Sequence, residues 1–268
     1  PVPKGMEDYE AAALVRGRVL MGALRALLGV FERLMRKLVA LCVISTDDDI
    51  FTRDGPPNVR WQDTLRDMGL LERCMQIIKV LSVTLRMPMK VVKERMPGVY
   101  VLLRYSYLLI EKGCKDNLLS KRAVLGLVPL MREHMMFGVG SYFTMRSVFQ
   151  DSKQLLESIP RTQIDGTANL LKTQRSPRMI EFLVVIAKMT GNIPIPRNQN
   201  ALCKAIFEKE GMFLDAEVTP DDILLKDPLK PDVPAVSLSA VVAKHGEQSF
   251  AGYATDAQQE DPPIRNVL

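Results

Sequence analysis

The sequence predicts an all-α fold built as a stacked array of helices, and three observations predict it. Apolar residues recur at spacings of three and four, no segment shows the alternation of a half-buried strand, and prolines fall near the junctions between apolar runs. Composition agrees with this. Aromatic residues make up 6% of 268 positions while methionine reaches 15, a balance suited to adaptable helix-to-helix packing and not to an aromatic β core. A chain of this length buries a sizeable core as one large domain or two small ones.

Residues 1–45 are expected as a long helix or a helix pair. Leu14, Leu20, Leu24, Leu27, Leu28, Phe31, Leu34, Leu38 and Leu41 form its apolar stripe. Glu7, Asp8 and Glu10 precede the stripe and Arg33, Arg36 and Lys37 lie nearer its end, the order that suits a helix dipole. Gly17, Gly22 and Gly29 either break this element in two or let a neighbour pack closely. Residues 46–58, with Gly55-Pro56-Pro57, cannot continue a helix and read as an exposed loop. Shorter helices follow over 59–69, 70–86, 89–95, 97–112, 117–136, 139–149, 151–158, 161–173, 176–190 and 197–210, with Pro88, Pro97, Pro160, Pro177 and Pro194 near their ends. Residues 59–214 therefore form one helical region. Residues 215–268 hold six prolines and an excess of acid, and read as an extended or partly disordered tail with one short helix over 236–245.

The formal charge of +5 conceals an asymmetry. From Asp215 onward ten acidic residues stand against four basic ones, a net of −6 that leaves +11 on the body. A basic body suits an anionic partner, while the plainer reading is a solvated basic face. Cys42, Cys74, Cys114 and Cys203 are widely spaced, without a C-x-x-C pair, and read as buried thiols of a reducing compartment. Arg and Lys interrupt the apolar runs short of the roughly 20 residues that a membrane span needs. No signal peptide is visible, and Pro1 in place of an initiator Met suggests a piece of something longer or a processed chain.

Catalytic chemistry finds little purchase. His134 and His245 are the only histidines, and His134 reads as a surface or interfacial residue on a helix. Neither a Ser/His/Asp order nor a nucleophile elbow is present, so the expectation is no enzyme and no cofactor. Asp47-Asp48-Asp49 with Asp54-Gly55 invites a calcium reading, but an EF-hand needs glycine at its sixth position and glutamate at its twelfth, where this chain has Thr52 and Asn58. A solvated acidic loop is the reading adopted. Gly138-Val139-Gly140-Ser141 lacks the preceding strand and the lysine of a phosphate loop and reads as a turn. Lys121-Arg122, Arg132 and Arg146 lack the aromatic interleaving of single-strand nucleic-acid binding.

Three segments, taken in order, point to a family. Trp61 to Leu81 (WQDTLRDMGLLERCMQIIKVL) is a helix pair, Phe149 to Ile159 (FQDSKQLLESI) carries a Leu-Leu-Glu step, and Arg178 to Phe207 runs through Ile193-Pro194-Ile195-Pro196 and Asn198-Gln199 to Leu202 and Lys204-Ala205-Ile206. In this order they resemble the RIH domain, the homology region shared by inositol trisphosphate receptors and ryanodine receptors, over residues 59–214.

The resemblance implies an armadillo/HEAT-like helical-repeat solenoid. It also implies a non-enzymatic domain of an intracellular ligand-gated calcium-release channel, on the cytoplasmic face of the endoplasmic reticulum or a similar store, within a longer membrane protein. Its partners would be other domains and subunits of the same tetramer. Matched position by position, Arg66 keeps the family's cation and is the one ligand-binding candidate, beside a structural reading in which it bridges helices. Asp63 and Val59 stand where the ligand-binding copy has Lys and Arg, and a carboxylate facing a triphosphate repels it. Inositol phosphate binding is therefore not carried over, and a second cationic position falls near Lys115-Asp116. The alternative function is a freestanding helical-repeat adaptor that grips an acidic peptide. Nucleic-acid binding ranks third.

Overall fold

The structure, a computed structural model, describes residues 4–84, 89–174, 177–208, 215–226, 232–237 and 239, with side chains from Met21 onward except at 83–84, 89–90 and 173–174. It is predominantly α-helical, and no sheet closes among the described residues. The chain divides between Val148 and Phe149 into two compact units.

The first unit is built on the helix that is buried around most of its circumference. This is α5 (Pro97–Cys114), in which Leu103, Tyr105, Tyr107, Leu109, Ile110 and Cys114 are fully buried. Two long helices flank it: α1 (Lys4–Cys42) and α3 (Leu70–Thr84), the latter following the short α2 (Val59–Asp67). The glycines of α1 leave it unbroken as one 39-residue helix. It lays Met35, Val39 and Cys42 against α5, where the Tyr105 hydroxyl donates to Glu32 Oε1 at 2.8 Å. Glu32 also holds Arg36 at 2.9 Å.

After α1 the chain closes a loop on itself. Val43 pairs with Pro57, Ile44 N donates to Pro56 O at 2.9 Å, and Asn58 N donates to Cys42 O at 2.9 Å. Gly55 is required here: a Cβ on it would lie 2.0 Å from the Ile44 carbonyl oxygen.

Then α4 (Met89–Arg95) leads into α5, and α6 (Leu118–Ala123), a 3-10 turn (Leu125–Leu127) and α7 (Val128–Glu133) occupy the stretch expected as one helix over 117–136. Pro129 is the cause of the break, because its ring excludes the carbonyl four residues back and it has no N–H to donate. The last helix, α8 (Ser141–Phe149), docks through the Thr144 hydroxyl, which donates to Tyr107 O at 2.9 Å. Gly138 to Ser141 forms the expected turn, in which Gly138 and Gly140 have positive φ.

The second unit holds α9 (Lys153–Ser158), α10 (Arg161–Gln174), α11 (Pro177–Ala187) and α12 (Pro196–Phe207). Ala168 of α10 meets Ala205 of α12, small residues that bring the two helices together, with Leu171 and Ile206 closing the edges. The Phe149 and Phe182 rings meet edge to face at 6.0 Å.

The helix expected over 176–190 ends at Ala187. Strands β1 (Lys188–Met189) and β2 (Ile193–Pro194) then form a miniature hairpin. Left-handed backbone at Gly191 (φ 76°) and Asn192 (φ 60°) reverses the chain. Asp151 anchors the tip, its carboxylate accepting from the Thr190 N–H and hydroxyl, both at 2.7 Å.

Strands β3 (Asp215–Val218), β4 (Ile223–Lys226) and β5 (Val236–Ser237) make a three-stranded antiparallel sheet where the sequence suggested no strand. Pro220 lies inside the Thr219–Asp222 turn, a favoured place for it. Asp222 ties the sheet together by accepting from Ile223 N, the Ser237 hydroxyl and the Ser239 hydroxyl. These bonds hold its carboxyl well down, at about 2, the Ser237 hydroxyl contributing most. Val236 and Ser237, expected to begin a helix, are strand; most of that expected helix lies outside the described residues.

Candidate functional site

Arg66 sits in the last turn of α2 with its guanidinium between two carboxylates of its own segment. It reaches Asp63 Oδ1 at 2.5 Å and Asp67 Oδ1 at 2.9 Å. The Asp63 carboxyl is held low mainly by the Asn117 amide, which donates to it at 2.9 Å, and then by Arg66. Asp63 is thus a working partner in a local network, and Arg66 is already neutralised. The second cationic position behaves alike: Lys115 Nζ pairs with Asp54 of the loop.

Beside Arg66 lies a feature that sequence reasoning did not assign a role. Gln62 is fully buried, and its amide nitrogen reaches the carbonyls of Cys42 (3.3 Å), Lys112 (2.8 Å) and Lys115 (3.0 Å). These carbonyls belong to the ends of α1 and α5, where the last acceptors of a helix have no partner within it. Gln62 Oε1 in turn accepts from Asn117 at 3.3 Å, and Asn117 Oδ1 caps α6 by accepting from Ser120 N at 3.1 Å. One amide pair thereby fastens the ends of α1 and α5 to the starts of α2 and α6.

The second unit repeats the device. Asn198, fully buried near the start of α12, donates from Nδ2 to Leu156 O of α9 (2.8 Å) and Ile186 O of α11 (2.9 Å). Both Gln62 and Asn198 belong to the family-like segments quoted above. In the sequence both stand among polar neighbours, Arg60, Asp63 and Thr64 for Gln62 and Arg197, Gln199 and Asn200 for Asn198, so no break in an apolar run marked them.

Asp47 and Asp49 of the acidic loop spend carboxylate oxygens within it. Asp47 Oδ1 accepts from Asp49 N (2.9 Å), Asp47 Oδ2 from the Thr52 hydroxyl (2.7 Å), and Asp49 Oδ1 from Phe51 N (3.0 Å). The Thr52 bond is the chief reason that the Asp47 carboxyl lies below its usual range. No group of three or more potential metal ligands converges among the described residues.

His134 is buried, not superficial as expected: 5% of it is exposed, and the Phe137 ring lies beside it at 5.4 Å. Ser82 gives its proton to Ile78 O (2.5 Å), so its oxygen accepts from His134 Nε2 (3.2 Å), while the Tyr107 hydroxyl donates to Nδ1 (2.8 Å). That pairing fixes the neutral Nε2–H tautomer. Burial lowers the imidazole to about 4. Lys121 is buried rather than displayed, with 2% of it exposed.

Burial raises the thiols of Cys42 and Cys74 to about 12 and that of Cys114 still higher, while Cys203 is exposed, against the expectation for all four. No helix among the described residues is long and apolar enough to cross a membrane.

Helices pinned end to end by buried amides, with Arg66 and Lys115 held in local ion pairs, define a helical module. Residues 31–218 match the RIH domain family, and the chain belongs to it. RIH domains are non-catalytic regulatory modules. The match takes in α1 from residue 31 onward and the acidic loop, upstream of the stretch that carries the sequence motifs.

Proposed function

We propose that this chain is a cytoplasmic helical domain of an intracellular ligand-gated calcium-release channel, and a divergent member of its family. It couples ligand sensing to gating. The family match over residues 31–218 carries this reading. Buried amide clamps at Gln62 and Asn198 support it, because helices fastened at their ends transmit a displacement as rigid bodies instead of absorbing it. In this reading the domain is an armadillo/HEAT-like solenoid. It stands on the endoplasmic reticulum or a similar store, within a tetramer whose pore lies elsewhere in a longer polypeptide.

Arg66 has a structural role within its own helix here and binds no inositol phosphate, since two carboxylates of α2 already hold it. Calorimetry with inositol trisphosphate should give no heat that Arg66→Ala abolishes.

The test is a deletion of residues 59–210 from the full-length channel. Ligand-gated calcium release should be lost while the assembled protein remains detectable; release that persists overturns the reading. An immunoblot of fractionated native cells comes first. A membrane-associated band of channel size supports the channel, and a soluble band near 30 kDa leaves the freestanding adaptor.

A further inference from the structure

The apolar stripe of α1 is wider than the surface that α5 covers. At about 100° per residue, Leu28, Phe31, Met35, Val39 and Cys42 share one arc, and this arc faces the core. Leu27, Val30 and Leu34 fall on a second arc about 110° away, within about 60° of one another. They are 66%, 53% and 52% exposed. Leu24 and Met21, on the first arc, are also about half exposed. A helix apolar around so much of its circumference belongs between two neighbours, not against one.

The charge at the edge of the stripe says what the second neighbour is. Between Met21 and Cys42 the helix carries four cations, Arg25, Arg33, Arg36 and Lys37, and one acid, Glu32. Arg36 is paired with Glu32. Arg33 and Lys37 are exposed, one turn apart, and without an ion pair among the described residues. On the wheel they line one edge of the Leu27/Val30/Leu34 arc, while the other edge runs into α5. Arg25 borders the other side of the stripe, beside Met21 and Leu24, so what marks the partner is the excess of four cations over a single acid, which suits an acidic helix laid along the face.

We propose that the Leu27/Val30/Leu34 face of α1 is a docking site for an acidic amphipathic helix of another domain or protein. Its apolar residues cover the leucines, and its carboxylates meet Arg33 and Lys37. The site does not depend on the channel reading.

The probe is a fluorescein-labelled 18-residue peptide with leucine at heptad a and d positions and glutamate at e and g, titrated with the whole chain and followed by anisotropy. A lysine version is the control. The glutamate peptide should bind saturably and at least tenfold tighter than the lysine one. L27Q/L34Q should weaken it at least tenfold, and R33E/K37E should reverse the charge preference. These four side chains are exposed, so unchanged circular dichroism separates lost docking from lost folding.

Absent binding, equal binding of the two peptides, or indifference to L27Q/L34Q overturns the proposal. Concentration-dependent dimerisation that L27Q/L34Q abolishes overturns it in favour of a second copy. Cosedimentation with phosphatidylserine vesicles in place of peptide binding overturns it in favour of a membrane surface.

Discussion

Gln62 and Asn198 each do what no apolar residue of the same size does, because they satisfy helix-terminal carbonyls that are cut off from water. Removing Gln62 takes the side-chain donor from the Lys112 and Lys115 carbonyls, and removing Asn198 takes it from that of Ile186, since Leu156 O keeps the Ile159 N–H; each loss costs about 1–3 kcal/mol. Gln62→Ala should therefore lower stability by roughly 3 kcal/mol in urea unfolding, and Asn198→Ala by about half as much. A change under about 0.5 kcal/mol would mean that the carbonyls find other partners.

His134 sets a pH dependence. Its folded value of about 4 lies below the ordinary 6.5, so the unfolded chain binds more protons between these limits. Its contribution is complete above pH 6.5 and is lost as pH falls toward 4, by up to about 3 kcal/mol. Urea midpoints of the protein should fall through that window more steeply than those of His134→Gln. Parallel curves would remove His134 from the account. Thiol reactivity follows burial in the same way: of the four cysteines, only Cys203 should react with a disulfide reagent in the native protein.

At the scale of elements, backbone chemistry decides where helices stop. Pro129 splits the helix expected over 117–136, and left-handed backbone at Gly191 and Asn192 ends α11 in a hairpin. Periodicity registers the apolar face but not these interruptions, since a 3-10 turn keeps nearly the same spacing of apolar residues as the α-helix it interrupts. The loop over 46–58 is held by a comparable device. Gly55→Ala would force a methyl group to within 2.0 Å of the Ile44 carbonyl, so the Val43–Pro57 closure should open. Limited proteolysis should then cut within 46–58 while helical circular dichroism persists; an uncut loop would show that the closure tolerates the methyl group.

Over the whole molecule, two compact units with their own cores predict unfolding in more than one step. The single tryptophan, Trp61, lies in the first unit and reports it alone, whereas far-ultraviolet circular dichroism sums both. The two urea transitions should not coincide. Superimposable curves would establish one cooperative block.

Helix positions were legible in the sequence because apolar spacing and proline placement are local properties of the chain. So was the family, whose quoted segments contain the buried amides Gln62 and Asn198. Their role was not legible, since the carbonyls they meet lie 20 to 53 residues away for Gln62 and 12 to 42 for Asn198. The burial of His134, the capture of Arg66 and the short strands of both small sheets were likewise decided in three dimensions. The exposed arc of α1 shows the limit most plainly. Its sequence determined an apolar stripe, and only packing decided that α5 covers one side of it and leaves Leu27, Val30 and Leu34 in water.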